Sequence, residues 1–86
     1  MVQVLLLTQA DCATCDQVKA ILERLSAKYP LSIASRDLAS SEGLALAEEG
    51  GILFPPGVFL DGKPFSSGRL SERKLRRELE RRLDPR

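Results

Sequence analysis

Residues 5–25, "LLLTQADCATCDQVKAILERL", carry an apolar run into a polar knot and then release two cysteines, three positions apart, into a helical pattern. Beyond the knot, Cys15, Val18, Leu22 and Leu25 recur at three- and four-residue intervals with Ile21 beside them. Gln17, Lys19, Glu23, Arg24 and Lys28 fall elsewhere on the wheel, which is the spacing of an amphipathic helix. Ahead of the knot, "VQVLLL" at 2–7 is almost continuously apolar, as expected of a strand buried on both faces. Pro30 stops the helix, because Tyr29 before it is pushed out of helical geometry. "LSIASRDL" at 31–38 places Leu31 and Ile33 in alternation and reads as a second, less buried strand. Such a strand, helix, strand unit takes a right-handed crossover with its two strands parallel.

Working outward, "SSEGLALAEEGG" at 40–51 is a short helix capped by Ser40 or Ser41 and ended by Gly50 and Gly51, with Gly43 an anomaly inside it. "GVFLDGKPF" at 57–65 reads as a hairpin: Val58 to Leu60, a turn at Asp61-Gly62, and a return strand whose Pro64 suits only a sheet edge. A last helix starts after Ser71, with Leu75, Leu79 and Leu83 in one stripe and Leu70 placed to pack on Leu75. The expected order is βαβαββα. That is an α/β fold with a mixed four-stranded sheet and flanking helices, in one domain over residues 1–86.

Composition narrows the function. A chain of 86 residues buries roughly 60 to 65% of its unfolded surface, so a second domain does not fit. Two cysteines, no histidine and 43% hydrophobic residues describe an ordinary globular domain and not a disulfide-stapled one. "MVQVLLL" has no basic leader and no stretch approaches a membrane span, so a cytoplasmic protein that does not contact membrane is expected. Residues 69–86 hold eight Arg or Lys against four acids. Glu72, Glu78 and Glu80 interleave with the cations and no aromatic accompanies them, so this is read as a solvated helix face and no nucleic-acid partner is expected.

The cysteine pair has three readings. A structural zinc site needs four ligands, and this chain supplies no other Cys and no His; neither metal nor cofactor is expected. Two inert core cysteines fit poorly with Asp11, Thr14 and Asp16 around them. Thiol-disulfide exchange suits the spacing, because a loop this short adds little as a staple while the first helical turn brings the sulfurs within bonding reach. The unpaired N–H groups of a helix start favour a thiolate at Cys12. Asp11 and Asp16 oppose it, each by roughly 0.6 kcal/mol at about 7 Å in solvent-like dielectric. The expected depression of the thiol is therefore modest.

The order βαβαββα, "TQADCATC" at the first strand-helix junction and "FPPGVFLDG" before the hairpin together resemble the thioredoxin-like fold and, within it, the small glutaredoxin-like proteins. The resemblance spans essentially the whole chain. It implies a thiol-disulfide oxidoreductase with Cys12 as nucleophile and Cys15 as resolving cysteine. It also implies substrate contacts at Ala13, Thr14, Pro55 and Pro56, with Pro56 as the cis-proline that lies against the disulfide. The implied partners are a disulfide-containing protein or small thiol and a reducing partner; a monomer is expected. The chain departs from the glutaredoxin pattern at Gln9, where a lysine is usual, at Ala13-Thr14 between the cysteines, and at "SSGRLS" (66–71), where a Gly-Gly-Asp segment is usual. It also has Pro55 where the family presents a backbone N–H to substrate, and proline has none. Weak glutathione specificity is expected.

Two other readings compete. A redox-inactive module of the same fold could dock partners. A copper-chaperone domain also puts Cys-x-x-Cys between its first strand and first helix, but it requires a hairpin directly after the second strand and a strand at the end.

Overall fold

Strand β1, Val2–Thr8, is the spine of the molecule. The computed structural model describes residues 1–52 and 54–84. In chain order the other elements are α1 (Ala13–Ser26), β2 (Leu31–Asp37), α2 (Ser41–Gly50), β3 (Gly57–Leu60), β4 (Lys63–Ser67) and α3 (Glu72–Leu83). They form one four-stranded sheet in the order β2-β1-β3-β4. β1 runs parallel to β2 with Val2 opposite Leu31 and Thr8 opposite Asp37, and antiparallel to β3 with Leu7 opposite Gly57. The sheet is therefore mixed, as the sequence implies. A helix follows β2, and α3 is the last element among the described residues, so the described residues do not follow the order that a copper-chaperone domain requires.

The near-continuous apolar character of β1 is explained by its two faces. Val2, Val4 and Leu6 join Val58 and Leu60 on one side, under Val18, Leu22 and Leu25 of α1 and Leu75 and Leu79 of α3. Leu7 turns to the other side with Phe59 and Ala47, joined by the half-buried Leu5, Leu46 and Ile52. Each fully buried Leu or Val is worth about 1.5–3 kcal/mol, so the two central strands carry much of the stability. β2 is an edge strand, largely exposed, and Ile33 is 40% accessible.

Local chemistry sets the boundaries. Ser40, not Ser41, caps α2: its Oγ accepts the Gly43 N–H at 3.0 Å. Gly51 ends that helix in the left-handed region (φ 68°), and Ile52 N–H returns to the Ala47 carbonyl, the pairing expected of a Schellman end. The Asp61-Gly62 turn has positive φ at both residues (50° and 85°), which is the mirror-image turn that matches strand twist. A bulge between β3 and β4 shifts the register around Phe65, which packs against the larger core. Pro64 lies in the edge strand β4. α1 ends three residues earlier than Tyr29, although the Tyr29 amide still reaches the Leu25 carbonyl at 2.8 Å, so a further turn precedes Pro30.

Polar links tie α3 to the rest. Arg24 meets Glu72 at 2.7 Å, Tyr29 donates to Glu80 at 2.7 Å, and Arg82 meets Asp61 at 2.9 Å. Exposed pairs of this kind contribute little individually. No helix is long and apolar enough to cross a membrane, among the described residues.

Candidate functional site

Sheet register gathers the chemistry at one end. β1 leaves the sheet at Thr8, beside the exit of β2 at Asp37 and next to the entry of β3 at Gly57. Gly57 in turn pairs with Ser67, the last residue of β4. Four connections therefore meet here: Gln9–Cys12, Leu38–Ser40, Phe54–Pro56 and Gly68–Ser71. Leu38 N–H donates to the Thr8 carbonyl at 2.7 Å, and Gly68 N–H donates to the Pro56 carbonyl at 2.8 Å.

Asp11 turns the chain with φ 54°, and Cys12 follows with extended backbone (φ −113°, ψ 100°) as the N-cap of α1. Cys12 thus precedes the helix that its partner occupies. The Sγ of Cys12 accepts the Cys15 N–H at 3.0 Å, while its carbonyl accepts the Asp16 N–H at 3.1 Å. A sulfur here does what a serine oxygen usually does at a cap, and it sits where orphan donors and the helix dipole favour negative charge. The two sulfurs are joined as a disulfide across a Cα separation of 5.2 Å.

Exposure distinguishes the two cysteines. Cys12 is half-buried, whereas Cys15 is 1% exposed and shares the stripe of Val18 and Leu22. Between them Ala13 is exposed and Thr14 half-buried. Pro55 is half-buried, Pro56 is buried, and the bond between them is cis. Cys12, Ala13, Thr14 and Cys15 are thus contiguous at the head of α1, and the β1–β3 register brings Pro55 and Pro56 to the same end of the sheet. Gln9, Asp11, Asp16 and Arg69 are exposed around it. Among the described residues no group of three or more His, Cys, Asp or Glu could hold a metal ion.

Two residues that the sequence reading passed over belong to this end. The hydroxyl of Ser67 accepts the Phe54 N–H at 3.5 Å and lies 3.2 Å from the Phe54 carbonyl, to which it donates. It therefore clasps the loop that leads into Pro55. Phe54 itself is 67% exposed. Its position before Pro-Pro was visible in the sequence; the clasp was not, because only strand register brings residues 54 and 67 together.

The displaced ionisable groups stand elsewhere. The Gln3 N–H at 2.9 Å, followed by Arg82, holds the Asp61 carboxyl below the ordinary carboxylate range. Arg81, then Arg82, does the same for Glu78. Asp61 follows β3 at the far end of the sheet.

A family model described as "Glutaredoxin-like domain (DUF836)" matches residues 3–80. Among solved structures, a mutant thioredoxin from Halobacterium salinarum NRC-1 superposes with a TM-score of 0.71 at 24% identity, covering 93% of this chain and 73% of that one. A malarial protein gives 0.71 at 19% identity, covering 96% and 98%. Mitochondrial thioredoxin 3 from Saccharomyces cerevisiae, in its oxidised form, gives 0.70 at 20% identity, covering 93% and 77%. These likenesses establish a thioredoxin fold. No curated protein matches the sequence.

Proposed function

The chain belongs to the glutaredoxin-like domain family, and from that premise we propose that it is a thiol-disulfide oxidoreductase that reduces disulfides with the Cys12–Cys15 pair. The observation that carries the reading is the Cys15 N–H held on the Sγ of a half-exposed Cys12 whose bonded partner is buried. In the reduced protein, the Cys12 thiolate attacks one sulfur of a target disulfide. A mixed disulfide forms, the target S–S bond breaks, and the released sulfur leaves as a thiolate that takes a proton from water. Cys15 then gives its proton to solvent and attacks the Cys12 sulfur. The Cys12–Cys15 bond forms and the second target thiol departs. The target gains two electrons and two protons, and the protein is left as a disulfide for a dithiol reducing partner to reopen. Ala13, Thr14, Pro55 and Pro56 border the attack path as substrate contacts in this reading. The working setting is a monomer in a compartment that keeps thiols reduced.

The test is insulin reduction with dithiothreitol as donor. Wild type is expected to accelerate it, Cys12→Ser to abolish the acceleration, and reduced Cys15→Ser, freed of dithiothreitol before insulin is added, to stop at a mixed disulfide visible by mass. Limiting iodoacetamide is expected to label Cys12 first. No acceleration by the wild type, as a redox-inactive docking module would show, or labelling of Cys15 first, overturns the reading.

A further inference from the structure

The arginines of α3 fall into two groups. Arg81 and Arg82 pair with Glu78, and Arg82 also with Asp61. Arg73, Arg76 and Arg77 are exposed, and among the described residues no ion pair reaches them. With Glu80 they stand at i, i+3, i+4 and i+7, one face of the helix, while Leu75 and Leu79 are buried on another. The C-terminal end of α1 extends this face. Arg73, Arg76, Arg77 and Glu80 line a groove of about 420 Å³, and Arg24, Leu25, Lys28, Glu72 and Arg76 line a second of about 310 Å³, so Arg76 joins the two. Lys28 is exposed and likewise in no ion pair among the described residues. Both acids of this surface are engaged: Glu72 accepts from Arg24 and Glu80 accepts from the Tyr29 hydroxyl, each at 2.7 Å. Interleaving of acids and cations along the chain does not reveal this, because it does not record which acids are already bound.

Five cations therefore face two carboxylates, a local charge of +3 in a chain of net +1, and the remainder of the molecule is net −2. Like charges gathered on one face repel one another, and an anionic partner relieves that repulsion. Four of the five cations are arginines, whose planar fork matches a carboxylate through two parallel bonds. No aromatic lines either groove, so bases have nothing on which to stack. The net negative remainder also turns away a long polyanion, which a short acidic segment does not meet. We infer that the surface formed by Arg24, Lys28, Arg73, Arg76 and Arg77 is a docking site for an acidic segment of a partner protein. Arg24 lies twelve residues beyond Cys12, about 18 Å at helical rise, so a docked segment leaves the disulfide open. The inference stands apart from the oxidoreductase reading.

Fluorescence anisotropy of a fluorescein-labelled octaglutamate tests it, with a labelled Gly-Ser octapeptide as neutral reference. Wild type is expected to bind octaglutamate about tenfold or more tighter than the reference at low salt, and to lose most of that margin in about 0.5 M salt. Arg73→Glu, Arg76→Glu and Arg77→Glu each weaken binding about three- to tenfold. Arg76→Gln, which removes the charge without reversing it, weakens it less. Lys63 is exposed on β4 and lines neither groove, so Lys63→Glu, with the same change in net charge, shifts binding by no more than about twofold. Equal binding of the two peptides by the wild type, or a loss with Lys63→Glu as large as with Arg76→Glu, overturns the inference. Tighter binding of an eight-nucleotide thymidine strand than of octaglutamate overturns it as well, by assigning the surface to nucleic acid.

Discussion

Gly43→Ala is expected to destabilise the protein, although alanine is the better helix former by about 1 kcal/mol. Gly43 is buried in the first turn of α2, and its N–H holds the Ser40 cap. A Cβ there would overlap the Asp37 carbonyl oxygen and come within 2.9 Å of the Asp37 carbonyl carbon and 3.1 Å of the Leu38 Cα. The obstruction is backbone, so no rotamer change relieves it. It is also well anchored: the Asp37 carbonyl accepts from the Ser40 N–H at 3.0 Å and from its hydroxyl at 2.7 Å, and Leu38 N–H is bound to Thr8. Overpacking of this kind costs about 1–3 kcal/mol, and moving the helix start to avoid it sacrifices a cap worth about 1 kcal/mol. After the propensity gain, a net loss of about 2 kcal/mol remains. For a chain of this size that lowers Tm by about 8–16 °C. Thermal unfolding followed by circular dichroism measures it, with Gly51→Asn as the control. Gly51 lies in the left-handed region with nothing near its absent Cβ, so asparagine, the other residue found at such helix ends, should cost less there than alanine at Gly43. A Gly43→Ala protein as stable as wild type would refute the clash argument.

Pro55→Ala supplies a backbone donor where the proposed function puts a substrate contact, and it is expected to raise turnover of a glutathione mixed disulfide about two- to tenfold, the worth of one hydrogen bond; unchanged turnover would show that the missing N–H is not what limits glutathione. Asp61 has a carboxyl held below its ordinary range by the Gln3 N–H and Arg82, so its stabilisation is present above the unfolded-state value and is lost as pH falls through the folded one. Urea midpoints taken at neutral pH and again below the ordinary carboxylate range should therefore fall less in Asp61→Asn than in wild type, asparagine being tolerated at φ 50°; an equal fall removes Asp61 from the acid response.

Elements defined by local periodicity were legible in the sequence. Cys15, Val18, Leu22 and Leu25, taken as one stripe, are the four buried residues of α1. The Asp61-Gly62 pair and the Ser71 cap act where the sequence put them. What could not be read depends on contacts between segments distant in the chain. Gly43 looks like a weakness in a helix until the Asp37 carbonyl is seen against it. The exposure of β2 follows from its place at the sheet edge, which alternation cannot distinguish from a half-buried interior strand. Cysteine is no habitual cap, so only the structure shows Cys12 standing before the helix with its sulfur as the acceptor.

The same placement weighs the opposing charges around Cys12. The Cys15 N–H is a directed donor at 3.0 Å from the sulfur, and a hydrogen bond to a charged acceptor is worth about 1.5–3 kcal/mol. Asp11 and Asp16 are exposed, and a carboxylate at about 7 Å across solvent opposes negative charge by only about 0.6 kcal/mol, less in salt. Two such carboxylates fall short of one well-aimed donor. In the proposed reaction, that donor and the helix end stand on the side of Cys12, the attacking sulfur. Cys15, at 1% exposure and within the apolar stripe, has no comparable access to water. In the proposed reaction the division between attack and resolution follows from a three-residue step along the chain: the first sulfur lies at the end of the helix among its free donors, and the second lies one turn inside against the core.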